Sequence, residues 1–291
     1  MDAAHAEQTP LIPAGPHTDV ALDAAGLTDT GLHRKTNEDA FLIATLQPTL
    51  VVHEATASAQ GWFAGDPLGT LLIVADGMGG QGGGDVASRT AINAVSNYLL
   101  NALPWGAPTP DTRGDRDSAT GLRGQLSSAL VAGDATIKTA GANTLTPRMG
   151  TTLTAALVLW PVVYVAHVGD TRCYLFRDGK LRRLTTDHNM AEKLAAAGVE
   201  AAQLQSVLWN TLGASDQRPQ PELCKLDLAL GDALHLCSDG LNHHVSDDQI
   251  RAVLESDASS RACCAQLVQL ALSGGGTDNV TVLVARLGAA S

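Results

Sequence analysis

Carboxylates recur in this chain at one kind of place, the ends of apolar runs. Asp76 closes the run 70–75 and is followed by Gly77, Gly169 and Asp170 follow the run 162–168, and Ser238, Asp239 and Gly240 follow the run 232–237. Asp278 stands two residues before the run 280–287, and Arg34, Glu38 and Asp39 lie just ahead of 40–46. Each Asp-Gly alone is more often a plain turn, and Asp76 could instead cap a helix opening near Asp85. Taken together the acids say more. Carboxylates gathered in one place repel one another unless cations neutralise them, and an oxygen-only donor set suits hard divalent ions, Mg²⁺ or Mn²⁺. Arg34 beside them offers a fork that matches two oxygens of an anion.

A second motif points elsewhere. Gly77, Gly79 and Gly82 satisfy the G-x-G-x-x-G spacing between a strand and a helix, the outline of a dinucleotide site. No carboxylate follows about 20 residues on to hold a ribose, the next strand-like run starts only at residue 152, and later runs meet in hairpins. No Lys-Ser or Lys-Thr follows, which excludes a phosphate-binding P-loop. Nucleotide chemistry is therefore set aside.

The elements that must position these residues are legible as strand-like runs at 40–46, 70–75, 152–160, 162–168, 171–177, 180–184, 232–237 and 280–287. Their links are short, and Asp178-Gly179 is a two-residue hairpin signal. Neighbours must then pair antiparallel. Helical spacing appears at Ala91, Ala94, Val95 and Tyr98, and again at Leu122, Leu126, Leu130, Gly133 and Ile137. Ser246 with Gln249 forms a capping-box pattern, and a last helix covers 259–272. Segments 47–69 and 104–123 read as surface loops, 194–212 as a helix-like flap or connection, and 1–26 as a flexible lead-in. One α+β domain follows.

Composition sets the outer limits. Of 291 residues, 19 are Lys or Arg and 30 are Asp or Glu, a net charge of −11 that argues against nucleic-acid binding. No secretory signal and no membrane span is expected, since the long apolar run from 152 carries Pro161. Five cysteines form no C-x-x-C pair and read as reduced packing residues of a cytoplasmic protein.

The segments RKTNEDAF, LLIVADGMGGQGGG, MGTTLTAALV, VAHVGDTRCYLFRDGKLRRLTTDH, LHLCSDGL and GGTDNVTVLV, taken in order, resemble the motif series of the metal-dependent protein phosphatases of type 2C in their bacterial form. The resemblance runs from about residue 27 to 287 and implies a catalytic domain over 27–288. The implied fold is a four-layer α-β-β-α sandwich, two antiparallel sheets flanked by helix pairs. It also implies that Asp76 bridges two Mn²⁺ or Mg²⁺ ions, that the Gly77 carbonyl completes the second, and that Asp239 and Asp278 hold the first. Glu38 and Asp39 would hold water on the metals, Arg34 would grip the substrate phosphate, and Asp170 with Asp239 would hold a weaker third ion. The implied reaction is hydrolysis of phosphoserine and phosphothreonine in proteins by an activated water, the alternative being a catalytically weak regulatory domain of the same fold. Implied partners are phosphorylated proteins, the substrates of a Ser/Thr kinase and the kinase itself, and the chain is expected to be a monomer.

This chain departs from the family at three places. Met78 stands where eukaryotic relatives often have a histidine proposed as general acid. His243 and His244 match no family position, and Asn210-Thr211 replace a basic residue of the flap. His188 matches a family motif and reads as structural.

Overall fold

The computed structural model describes residues 12–13, 19–52, 61–79, 83–103, 121–142 and 148–289. The apolar runs form two antiparallel sheets. One contains β1 (Ile12–Pro13), β2 (Val20–Asp29), β10 (Arg172–Arg177), β11 (Lys180–Arg183), β13 (Ala233–Cys237) and β14 (Val280–Ala289), in the spatial order β1-β2-β14-β13-β10-β11. The other contains β3 (Asp39–Leu46), β6 (Gly69–Met78), β8 (Leu153–Leu159), β9 (Val162–Val168) and β12 (Glu222–Asp227), ordered β12-β9-β8-β6-β3, with the short β7 (Gly150–Thr151) also on β6. A separate hairpin joins β4 (Thr49–Val52) to β5 (Gly61–Ala64).

Period-two alternation in the strands decides which layer covers each face. On β6, Leu72 and Val74 face Val163, Leu234 and Leu283 in the core between the sheets. Their neighbours Leu71 and Ile73 join Ala91, Val95, Leu130 and Ile137 of α1 (Gly83–Ala102) and α2 (Leu122–Ala142). On the opposite side, Tyr174, Val282 and Val284 meet Ile250, Leu254, Cys263 and Leu267 of α5 (Asp247–Glu255) and α6 (Ser260–Ser273). Two of the remaining helices, α3 (Met190–Ala195) and α4 (Asp239–Asn242), are single short turns. The expected α-β-β-α order of layers is the order observed.

Local chemistry explains the junctions. Asp178 and Gly179 both take positive φ, 50° and 71°, as the turn between β10 and β11 requires. Ser246 and Gln249 cap α5 reciprocally as their spacing predicts.

Several expectations need correction. The lead-in 1–26 is not flexible throughout, because Val20–Asp29 is a ten-residue strand paired with β14 along its whole length. Its Ala-rich sequence VALDAAGLTD carries few β-branched residues, so propensity did not mark it. Segment 47–69 is not wholly loop, since its ends form the β4–β5 hairpin. Most of the second expected loop, 104–120, lies outside the described residues. Segment 194–212 is not helical. α3 ends at Ala195, Gly198 turns with φ 80°, and only a 3-10 turn at Ala202–Leu204 follows. β12 was not anticipated either, because Glu222, Lys225 and Asp227 interrupt its apolar pattern.

Among the buried polar groups, His235 on β13 uses Nδ1 to meet the Leu283 carbonyl at 3.1 Å, and its Nε2 has no partner. Burial pushes its pKa down to about 4. The unfolded chain takes up that proton near pH 6.5, so the contribution of neutral His235 to stability is lost as pH falls from about 6.5 toward 4. A His235→Leu variant should therefore gain on the wild type by melting temperature between pH 7 and pH 5. An unchanged gap between the two melting curves would contradict this assignment.

Candidate active site

The registers of both sheets bring the acids to one edge of the sandwich. Asp39 at the start of β3 sits opposite Asp76 near the end of β6. Cys237 pairs with both Arg172 and Val282, so Asp239 just beyond β13, Asp170 just before β10 and Asp278 just before β14 must lie close together. Arg34, Glu38, Asp76, Gly77, Asp170, Asp239 and Asp278 all line one open cavity of about 1040 Å³. Asp39 is not among the lining residues and lies buried behind them.

Each group is held by a specific contact. Thr152 clamps Asp76 through both of its donors and acceptors: its N–H donates to the Asp76 carbonyl at 2.9 Å, and its hydroxyl accepts the Asp76 N–H at 3.0 Å. Gly77 must be glycine, since a Cβ there would stand 2.1 Å from the Gly84 carbonyl and 2.6 Å from that of Glu38. Asn279 staples the loop before β3 to β14. It accepts the Glu38 N–H at 2.9 Å and donates to the carbonyls of Thr30 and Thr36 at 2.9 and 3.0 Å. Ser238 donates to Asp39 at 2.7 Å while accepting from Thr281. Arg34 donates to Asp278 at 2.7 Å, with its own side chain 52% exposed at the cavity mouth.

The electrostatics follow from this crowding. Burial, then the charges of Asp39, Asp239, Asp170 and Asp278, raises Asp76 well above the usual carboxylate range. Burial first and like charges second also lift Asp39 to about 7 and Asp170 to about 8. Asp239 and Glu38 are raised too, again mainly by burial. Arg34 is raised by its hydrogen bond to Asp278. Asp39 Oδ1 and Asp239 Oδ1 are buried without any hydrogen bond. Orphaned acceptors of this kind are costly, and a cation is the partner their chemistry fits.

The other wall of the cavity is the segment after α3, where Ser206, Leu208, Trp209, Thr211, Ala214 and Ser215 contribute no charge. Its far end is pinned in two ways. Thr151 and Leu212 exchange backbone hydrogen bonds at 2.9 Å, and the Gly213 N–H donates to Asp134 of α2 at 2.8 Å. Asp134 also holds Lys138 at 2.8 Å. Asp134 was missed from sequence, where it looked like one more polar residue of an amphipathic helix. Met78 lines the cavity as a thioether that can donate no proton.

His167, His188 and Glu222 also gather, with ligand atoms within 4.8 Å of one another, but their protons are already assigned. His188 Nδ1 accepts the Gly169 N–H at 3.1 Å, which leaves its proton on Nε2. His167 Nε2 faces the Thr186 carbonyl at 3.1 Å and must donate, so Nδ1 accepts from Thr154 at 2.8 Å. Neither ring has a lone pair left for a metal. Burial pushes His167 down to about 3 and His188 down to about 4. All five cysteines are free, and burial raises Cys237 to about 12, so it is a packed thiol at neutral pH.

The protein phosphatase 2C family model matches residues 58–271. The chain belongs to the protein phosphatase 2C family. It is 32% identical over 275 residues to the serine/threonine protein phosphatase PstP of Mycobacterium tuberculosis, an alignment covering 91% of this chain and 45% of PstP. This protein phosphatase 2C chain thus spans less than half the length of that relative. The protein phosphatase PhpP of Streptococcus pneumoniae is 29% identical over 267 residues, covering 90% of this chain and 96% of PhpP. Among solved structures, the PstP catalytic domain in complex with 2 manganese ions superposes with a TM-score of 0.71 at 32% identity, covering 92% and 99% of the two chains. The serine/threonine phosphatase Stp1 of Staphylococcus aureus gives 0.72 at 26% identity, covering 98% and 99%.

Pinning of the flap by Asp134 is directly testable. Asp134→Ala leaves the Gly213 N–H unpaired, a loss of about 1–3 kcal/mol. Amide hydrogen exchange at residues 211–215 should then accelerate more than exchange in β6 or β8. Equal protection in both proteins would show that the Thr151–Leu212 pair suffices alone.

Proposed function

We propose that this chain is a metal-dependent protein phosphatase that hydrolyses phosphoserine and phosphothreonine in proteins. The observation that carries the reading is the convergence of Glu38, Asp39, Asp76, Asp170, Asp239 and Asp278 at one edge of the sandwich, with two buried carboxylate oxygens lacking any partner. The manganese complex of its relative PstP supports the same assignment. Asp76, the Gly77 carbonyl, Asp239 and Asp278 would hold two Mn²⁺ or Mg²⁺ ions, and Asp170 with Asp239 a weaker third. Such ions supply charge that makes hydroxide accessible near neutral pH and neutralises a phosphate.

The residues of the chain do the rest. Arg34, fixed at the mouth by Asp278, meets the entering phosphate with a charge-assisted, bidentate-capable group. Glu38 would hold water beside the ions from the cavity wall, and Asp39, buried behind that wall, would do so through its unpartnered Oδ1. Glu38 is aimed by two contacts, the Asn279 bond to its backbone and the close approach of its carboxylate to Gly84 at the start of α1. The buried Thr152 fixes Asp76 so that its direction is set before anything binds, which is where preorganised sites gain most. With Met78 unable to donate a proton, the leaving alkoxide takes its proton from water.

The catalytic unit covers residues 27–288 together with the remainder of β2. No described helix is long and apolar enough to cross a membrane. A cytoplasmic monomer acting on phosphorylated proteins, including a Ser/Thr kinase, completes the reading.

Turnover of an aryl phosphate should need added Mn²⁺ or Mg²⁺ and vanish in EDTA. Asp239→Asn should lower kcat by at least about a hundredfold. The folded, metal-free variant should melt no lower than the wild type, because a repelling charge has been removed. Turnover that survives exhaustive chelation would refute the proposal. Metal binding without turnover in the wild type would favour the regulatory domain instead.

A further inference from the structure

Asp170 and Asp239 form the wall between two cavities. One is the cavity already described, and the second, of about 400 Å³, lies on their other side against α3 and the 3-10 turn. His243 lines only this second cavity. It caps the C-terminus of α4 four residues after Asp239, which opens that helix, so the two side chains share one face. His243 Nε2 stands 3.8 Å from Asp239 Oδ2, while Asp239 Oδ1 is buried and unpartnered.

The other charged groups around the second cavity are mostly committed. Arg172 is bidentate to Asp187, with contacts of 2.6 to 3.2 Å, and Glu192 is paired with Arg183 at 2.9 Å. The remaining described histidines near the sheets are committed as well, His167, His188, His235 and His244 each through a ring hydrogen bond. His243 differs. Its ring is half exposed, and its contact with Asp239 is an ion-pair distance rather than a hydrogen bond.

We infer that His243 is a metal ligand on the outer side of the Asp170–Asp239 pair, making that position an imidazole–carboxylate site that prefers transition metals such as Mn²⁺ or Zn²⁺ to Mg²⁺. The spacing is the physical reason: two ligands at i and i+4 on one helical face can clamp one ion, and the pair stands a short distance apart already. The nitrogen is the reason for selectivity. Imidazole binds zinc and other transition ions well, whereas Mg²⁺ holds to oxygen and water. This inference rests on the metal-centre reading of the neighbouring cavity and adds to it a ligand and a choice of ion.

The test uses the whole chain and does not depend on turnover. Calorimetric titration with Mn²⁺ should resolve two tighter sites and one weaker site. His243→Ala should weaken only the third, by about tenfold or more. With Mg²⁺ the same substitution should leave the third-site affinity within about twofold, since imidazole contributes little to binding that ion. His243→Lys separates ligation from plain charge pairing, because lysine keeps the ion pair with Asp239 but cannot ligate as an ammonium. It should behave like the alanine variant. In ¹⁵N-histidine spectra of the wild type, Zn²⁺ should shift the His243 ring nitrogens once the tighter sites are filled, and Mg²⁺ should not. Third-site Mn²⁺ affinity that His243→Lys preserves, or a His243 resonance indifferent to Zn²⁺, would overturn the inference. Absence of any tight site would overturn the metal-centre reading beneath it, a result readily told apart.

Discussion

Mutual repulsion among desolvated carboxylates is the constraint on which the rest of this structure depends. Asp39, Asp76, Asp170 and Asp239 are all driven toward protonation, first by burial and then by one another. Left to relax, such side chains would turn to water. The scaffold prevents this with contacts made mostly to backbone, which a change of side-chain charge cannot easily break. Thr152 fixes the Asp76 peptide, Asn279 fixes the loop that carries Glu38, and Ser238 holds one oxygen of Asp39. Stability is thereby given up at the edge, in exchange for a pocket whose charge is preset for cations.

An antiparallel sandwich suits that purpose for a geometric reason. In each sheet, chain direction alternates between neighbours, so one edge collects the C-terminal ends of some strands and the N-terminal starts of others. Asp76 and Asp239 lie at ends, and Asp39 and Asp278 at starts. The core between the sheets then sets the distance between their two rims. Leu72 and Val74 of one sheet pack on Leu234 and Leu283 of the other, and the acids follow a few residues along the same strands. A cavity created at Leu234 would therefore be felt at Asp239. Close packing transmits strain in this way because interiors have little free volume.

The sequence exposed more of the site than of the frame. Asp76, Asp170, Asp239 and Asp278 stood out because apolar runs end abruptly at acids, a pattern that burial makes expensive and therefore informative. β2 was illegible for the opposite reason. Both of its faces are buried, Leu22 and Ala24 in the core between the sheets and Ala25 under α6, and these are residues equally at home in a helix, so only its pairing with β14 selects the strand. The flap misread as helical shows the same limit, since an Ala-rich stretch has helix propensity that the backbone bridges from Met190 to Val207 and from Trp209 to His188 override. Asp134 was invisible because its function lies in a contact 79 residues away with Gly213. Local pattern reports burial well, but a hydrogen bond across the chain leaves no periodicity to detect.

The charge distribution finally fixes an order of events. The chain carries −11 overall, and among the described residues lining the cavity Glu38, Asp76, Asp170, Asp239 and Asp278 stand against one cation, Arg34. The flap wall adds nothing to offset them. A phosphate dianion approaching this surface in the absence of cations meets repulsion from the field as a whole, and Arg34 is already engaged with Asp278 at 2.7 Å. On the proposed reading, two divalent ions would cancel the net −4 of these five acids and one arginine, and an ion held by Asp278 would leave the guanidinium able to turn to the anion. On that reading anion affinity would follow from cation occupancy, and the half-exposed position of Arg34 at the mouth would let one residue serve both states.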